Sequence, residues 1–340
     1  LQRQKRIFLQ LFVIIMVLAL AACYVIRLPY FIQSPGKAQS MTQMVKVRGG
    51  YPVNGDYSLV YIYLGQANVY EYLWAKLGGN KYTTLVNENA VKLPNEDDKA
   101  YNLRQENYMT EAQQSAAYIA YKAAGKKPKL LQQGVLVLDT ISAMPNAKVL
   151  KSGDLIVGVG NHKISSTNEM EGLLRKKKLG DHFDLTIVRN KHMEKVNVQI
   201  ARFPKSIAGS SKSQGIGIYQ SDQFKVDVKP PVQFNITNIG GPSAGLMMTL
   251  DIYDQLTRQD LAKGRNIAGT GTIELDGTVG PIGGIADKIV GANKSGVKIF
   301  FAPVADHEYD TARETAKAIG SHMKIVPVRT FNDAKNYLLK

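Results

Sequence analysis

Two short segments of this 340-residue chain bring together residue types capable of nucleophilic chemistry. The first reads Ile239-Gly240-Gly241-Pro242-Ser243-Ala244-Gly245 and runs into Leu246, Met247, Leu250, Tyr253 and Leu256. Spacings of three and four predict a helix with one wide apolar stripe. Ser243 then falls at the helix mouth, behind glycines that permit a tight turn and close approach by another molecule. Pro242 suits a helix entry. Exposed amides and the positive end of the helix can stabilise an alkoxide or a developing oxyanion there. A serine near a helix start is more often its cap than a nucleophile, and this segment alone leaves both readings open.

The second segment runs from Gly269-Thr270-Gly271-Thr272-Ile273 through Asp276-Gly277 and Gly280-Pro281-Ile282-Gly283-Gly284 to Ile285-Ala286-Asp287-Lys288-Ile289. It predicts a strand, a tight Asp-Gly turn and a glycine-rich bend into a helix that carries Lys288. A solvent-facing lysine is protonated at pH 7. Buried beside a serine in an apolar cleft, its charged form is disfavoured and it could act as a base. Asp287, its neighbour, points elsewhere on a helix and is expected to be solvated. His162, His182, His192, His307 and His322 are scattered without metal-ligand spacing, so surface or structural roles are expected and no metal or cofactor is called for. The single cysteine, Cys23, excludes an intramolecular disulfide and a Cys-rich zinc site.

These two motifs, in this order, resemble the proteolytic domain of the Lon family, over roughly Gly215 to Pro303. The resemblance implies that Ser243 of Gly-Pro-Ser-Ala-Gly is the nucleophile and Lys288 of Gly-Gly-Ile-x-x-Lys its general base. It also implies that Thr270, opening Thr-Gly-x-Ile, orients the lysine. The whole arrangement is similar to Gram-positive membrane-anchored Lon-like serine proteases carrying a PDZ domain. Two positions depart from the ATP-driven pattern: Gly240 and Thr272 stand where acidic residues are usual. No Gly-x-x-x-x-Gly-Lys-[Ser/Thr] phosphate loop occurs in the sequence, so ATP-independent cleavage of peptides and accessible segments is expected.

The elements that must position this site begin after an apolar run, Ile7 to Ile26, with Gln10 its one polar side chain. As a helix it is long enough to cross a hydrocarbon core about 30 Å thick. Arg3, Lys5 and Arg6 precede it, which predicts a cytoplasmic N-terminus and an extracellular remainder. Leu20-Ala21-Ala22-Cys23 also resembles a lipoprotein processing site, although Tyr24, Val25 and Ile26 prolong the apolar run. An uncleaved anchor and a lipidated Cys23 are both open. The net charge of +15 suits anionic lipid or nucleic acid. No helix-turn-helix or aromatic interleaving supports nucleic acid, so none is expected as a partner.

Beyond the anchor, strand-like alternation at Leu59 to Tyr63 and helical patterns at Asn68 to Leu77 and Tyr108 to Ala124 read as scaffold. Glu88 to Glu106 reads as a loop or irregular helix edge. From Gly134 a β-rich block follows, with strands at Gly134–Leu138, Phe183–Arg189 and Lys195–Ile200 and a helix at Asn168–Arg175. Its order resembles a bacterial PDZ domain, a module that takes an extended peptide as an added strand. Lys176-Lys177-Lys178 reads as a solvated turn. The tail predicts strands at Lys298–Ala302 and Lys324–Val328, a helix at Asp310–Ile319 and a final helix.

The expected fold is thus an α/β (α+β) Lon-type proteolytic domain with a β-rich PDZ-like domain and one N-terminal transmembrane helix. The divisions read from the sequence are 1–6 cytoplasmic tail, 7–26 anchor, 27–127 mixed α/β scaffold, 128–203 PDZ-like domain and 204–340 Lon-like domain. The expected activity is a Ser-Lys serine endopeptidase processing extracellular signalling peptides or small membrane proteins. Its expected contacts are peptide substrate, lipid through 7–26 and a homo-oligomeric ring. The alternative is an inactive membrane-tethered peptide-binding or adaptor protein, in which Ser243 and Lys288 would be misaligned or blocked.

Overall fold

The computed structural model describes residues 2–208 and 213–340. Leu1 of the expected cytoplasmic tail and residues 209–212 of the expected C-terminal domain lie outside the described residues, as do the side chains of Gln2, Arg3 and Ala208.

Helix α1 (Gln2–Val25) contains the apolar stretch, whose side chains are exposed along almost its whole length. Among the described residues it is the one helix long and apolar enough to cross a membrane. Next come β1 (Arg27–Ser40), β2 (Val45–Val47), β3 (Asp56–Asn68), α2 (Val69–Lys76), β4 (Thr84–Asn87) and α3 (Asp98–Ala123). Helix α3 starts ten residues before the expected Tyr108, inside the stretch read as a loop or irregular helix edge. Asp97 caps it by accepting from the Ala100 amide, and Arg104 forms a buried bidentate pair with Glu96, so polar residues here are internally satisfied.

The PDZ-like unit contains β5 (Lys129–Thr140), β6 (Leu155–Val159), β7 (His162–Lys163), α4 (Thr167–Leu174), β8 (His182–Arg189) and β9 (His192–Gln199). Its sheet closes with a later strand, and Val137, Ile156, Leu185, Ile187 and Met170 fill its core. The chain continues through β10 (Ala201–Arg202), α5 (Lys205–Ala208), β11 (Gln214–Gly215), β12 (Ile218–Asp227) and β13 (Val232–Phe234). It ends with α6 (Gly245–Leu256), β14 (Asn266–Gly269), α7 (Ile285–Lys294), β15 (Ile299–Pro303), α8 (Glu308–Ala318), β16 (Lys324–Val328) and α9 (Phe331–Leu339).

Sheet pairing crosses the divisions read from local pattern. The larger mixed sheet has the order β16-β15-β14-β3-β1-β4, so strands from 27–87 and from 266–328 form one layer. Strand β12 lies instead at the edge of the PDZ-like sheet, in the order β12-β5-β6-β8-β9. The reason is pairing between strands far apart in sequence: β14 lies parallel to β3 (Gly269 opposite Leu59), and β12 runs antiparallel to β5 (Val226 opposite Leu130). Strand β15 is buried throughout, as a parallel strand covered on both faces must be. Helices α3 and α6 pack with β3 around Leu59, Leu246 and Leu250. Helix α7 packs with Val60, Ala268 and Phe300 in a second cluster. Ser243 and Lys288 therefore approach from helices that belong to different core clusters.

Candidate active site

Ser243 occupies the turn leading into α6, and Lys288 lies on the first turn of α7. Gly241 (φ 84°) makes the bend before the serine, in backbone space that favours glycine. Gly284 (φ 72°) does the same at the N-cap of α7. The serine turn is laced to the segment after β14. Gly271 donates its amide to the Ser243 carbonyl at 2.9 Å, and Leu246 donates to the Gly271 carbonyl at 3.1 Å. On its other side the Gly241 amide donates to the Gln105 carbonyl of α3 at 2.9 Å. Ser243 does not cap the helix, the alternative reading of its position: Ala244 is the N-cap, without a side-chain cap bond.

Lys288 Nζ lies 2.8 Å from Ser243 Oγ and 3.1 Å from Thr270 Oγ1. Thr270 donates its hydroxyl to the Ser243 carbonyl at 3.1 Å, leaving oxygen lone pairs for the amine. Thr270 is fully buried and Lys288 is 3% exposed, whereas Ser243 is partly open. Burial pushes the Lys288 amine down to about 8, opposed by the negative charge of Glu308. The structure thus brings all three candidate residues together. The misalignment expected of an inactive adaptor is absent from this geometry.

The cleft over Ser243 encloses about 700 Å³. Tyr61, Ile62 and Tyr63 of β3 line it together with Gln105, Ile239 and Ile282. Strand β14 pairs with β3 only as far as Leu59, so the β3 edge beyond it is open toward this cleft. The amides of Ser243 and Ala244 donate to no backbone carbonyl among the described residues.

One pattern-based reading is corrected. Asp287 is not solvated: it is 5% exposed and accepts from Gln33 Nε2 at 2.6 Å, tying α7 to β1. Burial raises its pKa. The five histidines are exposed, the surface half of the surface-or-structural reading, and no group of three or more potential metal ligands occurs among the described residues.

Glu308 escaped the sequence reading. It begins α8, two residues before the expected helix start, and is 5% exposed. Its Oε1 accepts from the Ile282 amide at 2.7 Å, while Oε2 has no hydrogen-bond partner. Burial pushes its pKa up to about 7, against the opposing effects of the Ile282 amide and Lys288. A glutamate at a helix N-terminus reads as ordinary dipole complementation; only the fold reveals that it is buried beside the lysine pocket.

The mixed α/β domain thus sets a buried lysine amine against a serine hydroxyl at the floor of a cleft. Residues 193–340 match the family of the Lon protease (S16) C-terminal proteolytic domain, and residues 113–200 match the PDZ domain. The chain therefore carries a proteolytic domain of the Lon family together with a PDZ domain. It is 32% identical to a Lon protease of Campylobacter concisus over 147 residues, 43% of this chain and 17% of that protein. It is 34% identical to a Lon protease of Azospirillum brasilense over 129 residues, 38% of this chain and 15% of that one. The chain thus spans less than a fifth of these relatives. The PDZ domain of the SdrC-like protein from Listeria monocytogenes is 26% identical, with a TM-score of 0.23, covering 26% of this chain and 86% of that structure. The Lon match begins at 193, so β1, β3 and β4, which complete the same sheet, lie outside it.

Proposed function

We propose that the protein is an ATP-independent serine endopeptidase in which Ser243 attacks the peptide bond and Lys288 is the general base. The observation that carries this is the 2.8 Å approach of Nζ to Oγ by a lysine that is 3% exposed. With a pKa of about 8, a useful fraction of the amine is neutral near pH 7. Neutral Lys288 takes the hydroxyl proton as Oγ bonds to the carbonyl carbon, giving a tetrahedral intermediate. The amides of Ser243 and Ala244 are the donors suited to its oxyanion. Collapse expels the amine, which receives the proton from Lys288 and leaves an acyl-Ser243 ester. Water, giving a proton to Lys288, then attacks the ester, and return of that proton to Oγ frees the acid and restores the serine. Thr270 positions the amine and is not covalently involved.

Helix α1 would anchor the enzyme, with the PDZ-like and proteolytic units outside the cell. Extracytoplasmic peptides or small membrane proteins would then be its substrates, and a ring of copies its assembly. The test is cleavage of an unstructured fluorogenic peptide by the full chain in detergent. S243A and K288A should each abolish turnover while circular dichroism is preserved. Undiminished cleavage by either variant sinks the dyad. An inactive wild-type chain that still binds peptide would favour the adaptor reading instead.

A further inference from the structure

Helix α2 (Val69-Tyr-Glu-Tyr-Leu-Trp-Ala-Lys76) is rich in apolar and aromatic residues, yet none of its residues is buried. Leu73, Trp74 and Leu77, just past its end, are 47%, 50% and 84% exposed. The sequence nevertheless makes this a well-formed helix. Asn68 accepts from the Glu71 amide and the Glu71 carboxylate accepts from the Asn68 amide, a complete capping box. A stable helix showing its large apolar side chains to solvent lacks a partner.

Its neighbour indicates what that partner is. Tyr70 donates its hydroxyl to the Leu20 carbonyl of α1 at 2.8 Å. Leu20 lies five residues before the end of α1 at Val25, which is about 7.5 Å along the axis at 1.5 Å per residue. Helix α2 therefore lies alongside the last turns of α1, at the depth where an apolar segment meets the headgroup layer. Lys76 lies in the last turn of α2, and Arg27 approaches the Glu71 carboxylate of the cap at 3.8 Å. Tyr30 and Tyr72 pack at 5.1 Å, and Lys76 lies over the Tyr72 ring. Amphipathic rings with adjoining cations are the chemistry of a membrane–water boundary.

We propose that α2 is an interfacial helix, embedding Leu73, Trp74 and Leu77 in the bilayer leaflet reached by the C-terminal end of α1. This rests on reading α1 as a membrane span. Lipid is favoured over a second copy of the chain because the patch continues the apolar surface of α1 beside Leu20, and the Lys76 ammonium at its end complements anionic headgroups. Strand β3 leads directly into α2 through Asn68 and lines the Ser243 cleft with Tyr61 to Tyr63. Seating α2 would therefore hold the cleft at a fixed height over the membrane.

Trp74 is the chain's one tryptophan and Cys23 its one cysteine, so each is a built-in probe. The full chain is reconstituted into phosphatidylcholine–phosphatidylglycerol vesicles, with and without acyl chains brominated at a shallow position. Trp74 emission should be blue-shifted, lose most of its intensity to the brominated lipid and resist aqueous iodide. An L73E/L77E variant should shift that emission to the red and lose the lipid quenching while keeping its circular dichroism. Free quenching by iodide with no response to brominated lipid overturns the proposal. So does blue-shifted emission that ignores both quenchers and follows the protein-to-lipid ratio, the mark of a second copy on this face. A fluorophore on Cys23 separates the underlying reading. If it is quenched by brominated lipid while Trp74 stays in water, the span stands and the interfacial helix falls; if both stay in water, the span falls and the proposal with it.

Discussion

The Ile282 amide donates to Glu308 Oε1 at 2.7 Å, so a buried carboxylate holds the loop that walls the Lys288 end of the cleft. The same carboxylate acts electrostatically on Lys288, raising its pKa against the larger effect of burial. Glu308→Gln keeps an oxygen for the Ile282 amide but removes the charge. Lys288 should then lose its proton more readily, and the acid limb of the kcat/KM profile should move to lower pH. Because Glu308 itself titrates at about 7, the difference from wild type should open above that pH and fade below it. Glu308→Ala also removes the acceptor, and should raise KM as the 281–284 loop loosens. An unchanged acid limb in Glu308→Gln would mean that its charge does not reach the amine.

Lys288 should cost the fold stability. Its pKa falls from 10.5 in the unfolded chain to about 8 when buried, so the unfolded state binds the proton more tightly. Stability from this group is therefore lowest below pH 8 and recovers as pH rises from 8 to 10.5. Lys288→Met should raise Tm at pH 7, by a gain of at most about 3 kcal/mol before the lost hydrogen bonds are counted. The gap between variant and wild type should close toward pH 10.5, as thermal melts across that range would reveal.

Thr270→Val keeps the shape of the side chain but removes the hydroxyl that joins Lys288 Nζ to the Ser243 carbonyl. The substrate does not touch this buried group, so kcat should fall with little change in KM. A loss of about ten-fold corresponds to about 1.4 kcal/mol, the scale of one such hydrogen bond. Thr270→Ser should restore most of it. Equal losses in Val and Ser variants would point to packing in place of orientation.

Gly245 follows the serine turn at a place where a side chain has no room. A Cβ there would lie 2.7 Å from Ile273 Cγ2 and 2.9 Å from the Ile273 amide nitrogen. Gly245→Ala should push α6 away from the segment after β14 that carries Thr270 and Ile273, costing about 1–3 kcal/mol as overpacking usually does. Activity should fall further than stability, because the shift separates Ser243 from Lys288. Denaturant unfolding with parallel kinetics would separate the two effects.

Local chemistry made the chain's parts readable. The α6 stripe from Leu246 to Leu256, the strand at Lys324–Val328 and the α4 helix are set by hydrophobic period and caps within a few residues of one another. The apolar length of α1 is likewise a property of sequence alone. What local pattern could not supply was pairing over long separations. Alternation at Leu59 to Tyr63 marks a strand, but not that Leu59 would lie opposite Gly269.

The same division holds at the candidate site. Two glycine-rich motifs carried Ser243 and Lys288 as residue types in a recognisable order, because turns and helix entries demand glycine and proline at fixed positions. Each residue kept an ordinary alternative, a cap for the serine and a solvated amine for the lysine. The fold decided between them by packing α6 and α7 so that Nζ and Oγ meet at 2.8 Å. It also buried Asp287 and Glu308, which their sequence positions present as ordinary helix acids. Burial and charge proximity arise only when distant segments share one core, and those two quantities set the proton affinity of Lys288.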